Sequence, residues 1–293
     1  MLDLVIETRS HDLGGFIVGR VLPYQRRRMV GPFIFFDRMG PHDMAAPIPL
    51  ATDVRPHPHI GLSTVTWLLE GEALHTDSLG SEQVIRAGQL NWMTAGHGIA
   101  HAELAARPPF RGAQMWVAQP EATRHGQSAF AHHADLPDIE IERATGRLIA
   151  GSFAGATSPA RTDTPLVGVD LTLRQGTSAL PAAATFEHAV VPLDGEVRVG
   201  PEVVEPGWLA LVPPGIDELP LEAGHDGVRL LLLGGEPLGE RIEMWWNFVA
   251  RDRDELTAAW RDWRDRTERF GDVPSPLERI EAPRPPWLPA SSD

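Results

Sequence analysis

Ser63-Thr64-Val65-Thr66-Trp67-Leu68-Leu69-Glu70-Gly71-Glu72, followed by Gly88-Gln89-Leu90-Asn91-Trp92-Met93-Thr94-Ala95-Gly96, reads as a strand, a tight turn and a second strand ending in another turn. β-branched and aromatic residues fill the runs, and glycines stand where the chain reverses. The spacing returns in the second half: Asp194-Gly195-Glu196, then Gly207, five residues, Pro213 and Gly215, matching Gly88, five residues, Thr94 and Gly96. One recurrence of a spaced pattern suggests a duplicated β-barrel.

Working outward, further short runs read as strands: Gln114–Val117, Leu166–Leu173 and Val228–Leu233. The 28 Gly and 27 Pro are spread along the chain, as many short elements joined by turns require. Only Asp252–Phe270 reads as helix, with Leu256, Trp260, Trp263 and Phe270 on one face, Asp252 and Glu255 as a capping pair and Gly271 after the end. These tryptophans are read as packing groups. Ala282–Pro289 is too rich in proline for regular structure. The Gly151–Thr164 segment is the candidate boundary between an N-terminal domain, 1–150, and a C-terminal domain, 165–293, that carries the helix and tail.

Composition narrows the chemistry. The chain has 293 residues, all 26 of its basic side chains are Arg, and it has no Cys. Lysine Schiff bases, thiolate nucleophiles and iron–sulfur clusters are therefore excluded. A net charge of −14 disfavours direct nucleic-acid binding and anionic membranes. Met1–Arg9 carries Asp3 and Glu7 where a secretory leader needs a basic start, and no apolar run approaches the ~18 residues of a membrane span. A soluble cytoplasmic protein is expected. Histidine is the surplus: 12 in all, five of them (His57, His59, His75, His97, His101) crowded into one segment.

His57-Pro58-His59 sets two imidazoles at i and i+2, on one face of an extended strand, and Pro58 favours that extension. His101-Ala102-Glu103 repeats the spacing with an imidazole and a carboxylate. Two antiparallel strands facing across a barrel bring the four groups together as three nitrogens and one oxygen, a set suited to one divalent transition metal.

The stretches His57–Glu72, His75-x-Asp77-Ser78-x-Gly80 and Trp92–Glu103 resemble the pirin family of the cupin superfamily. Arg28–Pro41 resembles its N-terminal segment, and Gly234–Val249 its C-terminal return. The resemblance implies an all-β fold of two stacked cupin (jelly-roll-like) barrels with a C-terminal helix, and one mononuclear metal in the N-terminal barrel. By position His57, His59, His101 and Glu103 match the family's ligands. Fe(II) is the first expectation for the ion, with Mn, Ni, Cu or Zn as alternatives by ligand type. The implied activity is that of a quercetin 2,3-dioxygenase: a flavonol chelates the metal through its 3-hydroxyl and 4-carbonyl, O2 adds, and the heterocycle opens with loss of carbon monoxide. Glu103 would be both ligand and catalytic base. The alternative implied by the family is an iron-binding, redox-sensing regulator that acts through a protein partner.

Aligning the halves at Gly71/Gly195 and Gly88/Gly207 puts Pro181, Ala183, Pro220 and Glu222 where the four ligands stand, so no transition metal is expected in the second barrel. His188 and His225 are read as ordinary. Ile60, Ser63 and His97 depart from the family pattern without being matched ligands; His97 reads as a solvent-facing turn residue, with a supporting or acid–base role beside the ligands as the alternative, and His75 as a hairpin residue bonded within its own turn. Trp67, Trp92, Met93, Phe33 and Phe35 are candidates for an apolar pocket wall, with core packing as the competing reading.

Overall fold

A computed structural model describes residues 2–13, 17–40, 53–105 and 110–289. Met1 and Pro41, each at the end of a stretch quoted above, lie outside them. The chain forms two β-barrels, each from a large sheet facing a four-stranded one. In the first, the large sheet runs Ala129–His133, Leu90–Thr94, Leu62–Glu70, Arg111–Ala118, Phe33–Met39, Ile17–Leu22, Arg9–Asp12. It faces Val54–His59, Ile99–Ala105, Glu72–Asp77 and Glu82–Arg86. In the second, Leu209–Val212, Glu187–Asp194, Val228–Gly235, Leu166–Leu173 and Ala144–Phe153 form the centre of the large sheet. Its partner is Gly176–Pro181, Glu218–Ala223, Val197–Val199 and Glu202–Val204.

The two large sheets stack back to back. Strand parity decides what each face buries. Val65 and Trp67 point outward from the first barrel and join Met115, Val191, Leu231 and Leu233 in the core between the barrels. Leu166–Leu173 and Val228–Gly235 are covered on both faces, so they read as continuous apolar runs. The second barrel is filled by Val169, Leu171, Leu219, Leu221 and Leu230. The first barrel directs Thr64, Thr66 and Gln114 inward instead.

The halves exchange elements. Leu4–Ile6 pairs with Leu209–Val212 in the second sheet, and Asp138–Ile141 and Ala144–Phe153 belong to that sheet too. Conversely, the C-terminal hairpin Glu243–Trp245/Phe248–Ala250 and the helix Arg253–Arg264 pack on Ile60 and Ala100 of the first barrel. Asp252 caps the helix by accepting from the Glu255 N–H at 2.9 Å. Glu255 reaches back to the Arg251 N–H at 3.0 Å, one residue before the cap, and accepts two of the guanidinium bonds of buried Arg124, at 2.8 Å each.

The helix ends six residues before the expected Phe270. The Asp265 N–H closes on the Arg261 carbonyl, and Arg266 then enters the left-handed region at φ 55°, which stops the helix without a glycine. Phe270 reaches the same core from the following turn, stacking on Phe248 at 5.8 Å and standing edge-on to Trp263 at 5.7 Å. Its place on the helical face was therefore a coincidence of spacing.

Candidate metal centre

Val54–His59 pairs antiparallel with Ile99–Ala105, so His57 stands opposite His101, and a bulge then carries Glu103 opposite Val54. Side chains at i and i+2 share a face. All four residues turn into the first barrel. The ring centroids of His57, His59 and His101 lie 4.4 to 5.1 Å apart, and one nitrogen from each falls within 4.8 Å of the others. The chain leaves the strand through Gly61 at φ 67°, where a Cβ would stand 2.2 Å from the Val249 carbonyl oxygen.

Hydrogen bonds fix how the rings present their nitrogens. His57 Nδ1 donates to the Arg55 carbonyl at 2.8 Å, and His59 Nδ1 donates to the Asn247 carbonyl at 3.1 Å. Each ring is left with an Nε2 lone pair for the interior. Burial lowers the His57 pKa to about 4 and holds those of His59 and His101 well below the ordinary value. Burial thus favours the neutral form of all three imidazoles. His59 Nε2 faces His101 Nε2 at 3.1 Å, and His101 Nδ1 is buried without a partner. Neutral, converging nitrogens with an unsatisfied ring suit one divalent cation of intermediate softness, and the residues present fit the group.

Glu103 sits differently. It joins His101 and His75 in an overlapping group, again with donor atoms within 4.8 Å. Its Oε1 lies 3.0 Å from the Thr66 hydroxyl, which is also 2.8 Å from the Gln114 side-chain amide. A hydroxyl has one proton, so Thr66 donates to either the Glu103 carboxylate or the Gln114 amide oxygen at any moment. Burial raises the Glu103 pKa, while His75 and the Thr66 bond oppose the rise.

His75 corrects the sequence reading in part. Its Nε2 does bond Asp77, at 3.0 Å, and Asp77 caps the turn by accepting from Leu79 and Ser81 N–H groups. Yet His75 is an interior strand residue, opposite Glu103 in register and stacked on Phe130 at 4.2 Å. The shared parity of His75 and Asp77 was the signal in the sequence. His97 is exposed, as expected for a turn. Ile60 packs under the helix, and Ser63 bonds Thr94 at 3.3 Å.

His57, His59 and Glu103 line a cavity of about 390 Å³, with His101 buried behind them. Phe35 and Trp116 stack at 4.1 Å along its wall, and Trp116 meets His59 edge-on at 5.1 Å. Of the five wall candidates only Phe35 lines this space; Phe33, Trp67 and Trp92 fill the core between the barrels, and Met93 packs with Ala95 and Ile99. Trp116, Gln114, Asp37 and Arg20 were not anticipated as wall residues, nor were Trp246, Asn247 and Ile280, which arrive from the C-terminal region. Asp37 is 2% exposed, and its two oxygens accept from Arg20 Nε and Nη2 at 2.7 Å each. Burial raises the Asp37 pKa against the pull of that guanidinium.

In the second barrel the positions aligned with the ligands face elsewhere. Pro181 and Glu222 are exposed, and Glu222 reaches Arg198 at 3.5 Å. His188 is buried, with its pKa lowered to about 4 by burial, and His225 is exposed beside Asp226. Among the described residues, the clusters able to hold a metal lie in the first barrel.

The pirin family model matches residues 15–117, and the pirin C-terminal cupin domain matches residues 168–271. A Pseudomonas aeruginosa protein provisionally named a quercetin 2,3-dioxygenase is 44% identical over 288 residues, spanning 96% of this chain and 90% of that protein. A pirin-like protein of Caulobacter vibrioides is 44% identical over 282 residues, spanning 93% of this chain and 96% of that protein. The crystal structure of a quercetin 2,3-dioxygenase from Acinetobacter baumannii superimposes with a TM-score of 0.91 at 39% identity, covering 99% and 98% of the two chains. Matched in both barrels and aligned with relatives over almost its whole length, the chain belongs to the pirin family of cupin proteins.

Proposed function

We propose that this pirin is a metal-dependent dioxygenase that opens the ring of flavonols such as quercetin with O2. One divalent ion, Fe(II) in the first instance, would be held by His57, His59, His101 and Glu103. The observation that carries the reading is the convergence of three buried imidazoles, two of which, with Glu103, line a cavity that has a stacked aromatic wall. The names carried by the relatives point the same way.

When bound, the ion supplies Lewis acidity and one-electron chemistry toward a chelating substrate and O2. The chain's own residues do the rest. The Arg55 and Asn247 carbonyls keep His57 and His59 in one tautomer. Phe35 and Trp116 hold a planar ring system and exclude water. Glu103 Oε1, steadied by Thr66, accepts the substrate hydroxyl proton, and burial brings the pKa of this carboxylate closer to that of a phenolic donor. No helix among the described residues is long and apolar enough to cross a membrane, and a cytoplasmic location goes with this proposal.

The test is turnover. Fe(II)-loaded protein is given quercetin in air and the flavonol absorbance is followed; wild type should consume it, with His101→Ala slower by at least about 100-fold. Equal, slow loss with both proteins would end the enzyme reading.

A further inference from the structure

The floor of the first barrel carries a row of polar side chains that the metal centre does not explain. Strand by strand, His132 stands opposite Asn91, Asn91 opposite Thr66, Thr66 opposite Gln114, Gln114 opposite Asp37, and Asp37 opposite Arg20. The rows on either side are largely apolar: Met93, Trp116 and Phe35, with Thr64 among them, on one, and Leu68, Met39 and Val18 on the other. Burying a carboxylate and a guanidinium between apolar rows is costly, and a well-packed apolar pair would serve stability as well. The pair therefore calls for a reason beyond packing.

Its position supplies one. Thr66 touches Glu103 at the metal end, and Asp37 is two strands further along, which at strand spacing is roughly 10 Å away. Arg20, Asp37 and Gln114 line the same cavity as His57, His59 and Glu103. The Arg20 guanidinium lies over Phe35 at 4.4 Å, and Phe35 stacks on Trp116, so the wall that receives a planar ring also fixes the ion pair. The Asp37 oxygens each use one bond to Arg20, and a carboxylate oxygen has a second lone pair to offer.

We infer that Asp37, clamped by Arg20, is a specificity-determining residue: it accepts a hydrogen bond from a hydroxyl on the substrate ring remote from the imidazoles, so the cavity selects planar aromatics that are polar at both ends. The inference rests on the flavonol reading above and names the group that discriminates among flavonols. Arg20 is the positioning residue that keeps the carboxylate ionised and aimed along the wall.

The experiment measures binding without turnover, with the protein loaded with redox-inert Zn(II) and titrated with quercetin or with 3-hydroxyflavone, which keeps the chelating oxygens and lacks the outer hydroxyls. Wild type should bind quercetin at least about tenfold more tightly, the strength of one hydrogen bond to a charged group. The double variant Arg20→Met/Asp37→Leu removes both charges together, which limits the folding risk of stranding one. It should bring the two affinities within about twofold of each other by weakening quercetin alone. Asp37→Asn keeps the shape and should narrow the preference partway, which provides the reading should the double variant fail to fold. Trp116→Leu should weaken both ligands alike. A preference unchanged in the folded variants, or equal loss of both flavonols in the double variant, overturns the inference and leaves the flavonol reading standing. Failure of wild type to bind either flavonol overturns both.

Discussion

Trp67 Nε1 donates to Asp170 Oδ2 at 2.9 Å, joining a strand of the first barrel to a strand of the second through a buried bond. The same carboxylate accepts two bonds from Arg229, at 3.0 and 2.7 Å. This polar contact lies among the apolar side chains of the inter-barrel core, so its loss strands charged and polar groups. Asp170→Ala should destabilise the protein by about 3–5 kcal/mol, and Trp67→Phe by about 1–3 kcal/mol. Urea unfolding followed by tryptophan fluorescence measures both.

Removal of His101 takes away a donor that faces His59 at 3.1 Å and belongs to both ligand clusters. His101→Ala should lower metal affinity by more than the 10–100-fold typical of losing a supporting group. Elemental analysis after anaerobic Fe(II) loading, with the variant shown to be folded, checks this.

Thr66→Val removes the hydroxyl that steadies Glu103 and leaves the barrel volume nearly unchanged. Metal affinity should fall by about tenfold or more, and Thr66→Ser should restore it. Equal affinity in all three proteins would show that Glu103 needs no such support.

The metal-free protein should lose stability as the pH falls. His57 and His188 are held at about 4 in the folded chain against 6.5 for an ordinary imidazole. The unfolded chain therefore binds more protons between these values, and stability rises with pH across that window. The loss from pH 6.5 to pH 4 amounts to roughly 3 kcal/mol for each imidazole. His188→Phe should make the pH dependence of the urea midpoint shallower without changing metal affinity.

Gly61→Ala places a Cβ against the Val249 carbonyl and strains a residue at positive φ. A destabilisation of at least about 1–3 kcal/mol is expected, with weaker metal binding because the Asn247 carbonyl that orients His59 is displaced with the hairpin. Thermal unfolding and metal titration read the two effects.

The strands and ligand pairs were legible because they follow local rules. His57 and His59 share a face by parity, and Gly71, Gly88, Gly195 and Gly207 mark reversals at positive φ. What escaped was set by distant pairing. Trp67 and Thr66 are neighbours in one strand, yet one lies between the barrels and the other beside Glu103, and only the register of the folded sheets assigns their faces. Asp37 and Arg20 carry no local signal of their own, and only strand pairing puts them side by side inside a barrel. The helix end at Asp265 was hidden because Arg266 adopts a conformation that no glycine announces.

The carbonyl that orients His59 belongs to a residue 188 positions further along the chain. Leu4–Ile6 likewise waits for Leu209–Val212 before its edge is paired. The N-terminal barrel is therefore not self-contained: its candidate centre is completed by a contact from the other end of the chain. A chain cut before that hairpin would carry all four candidate ligands and still lack the carbonyl that orients His59.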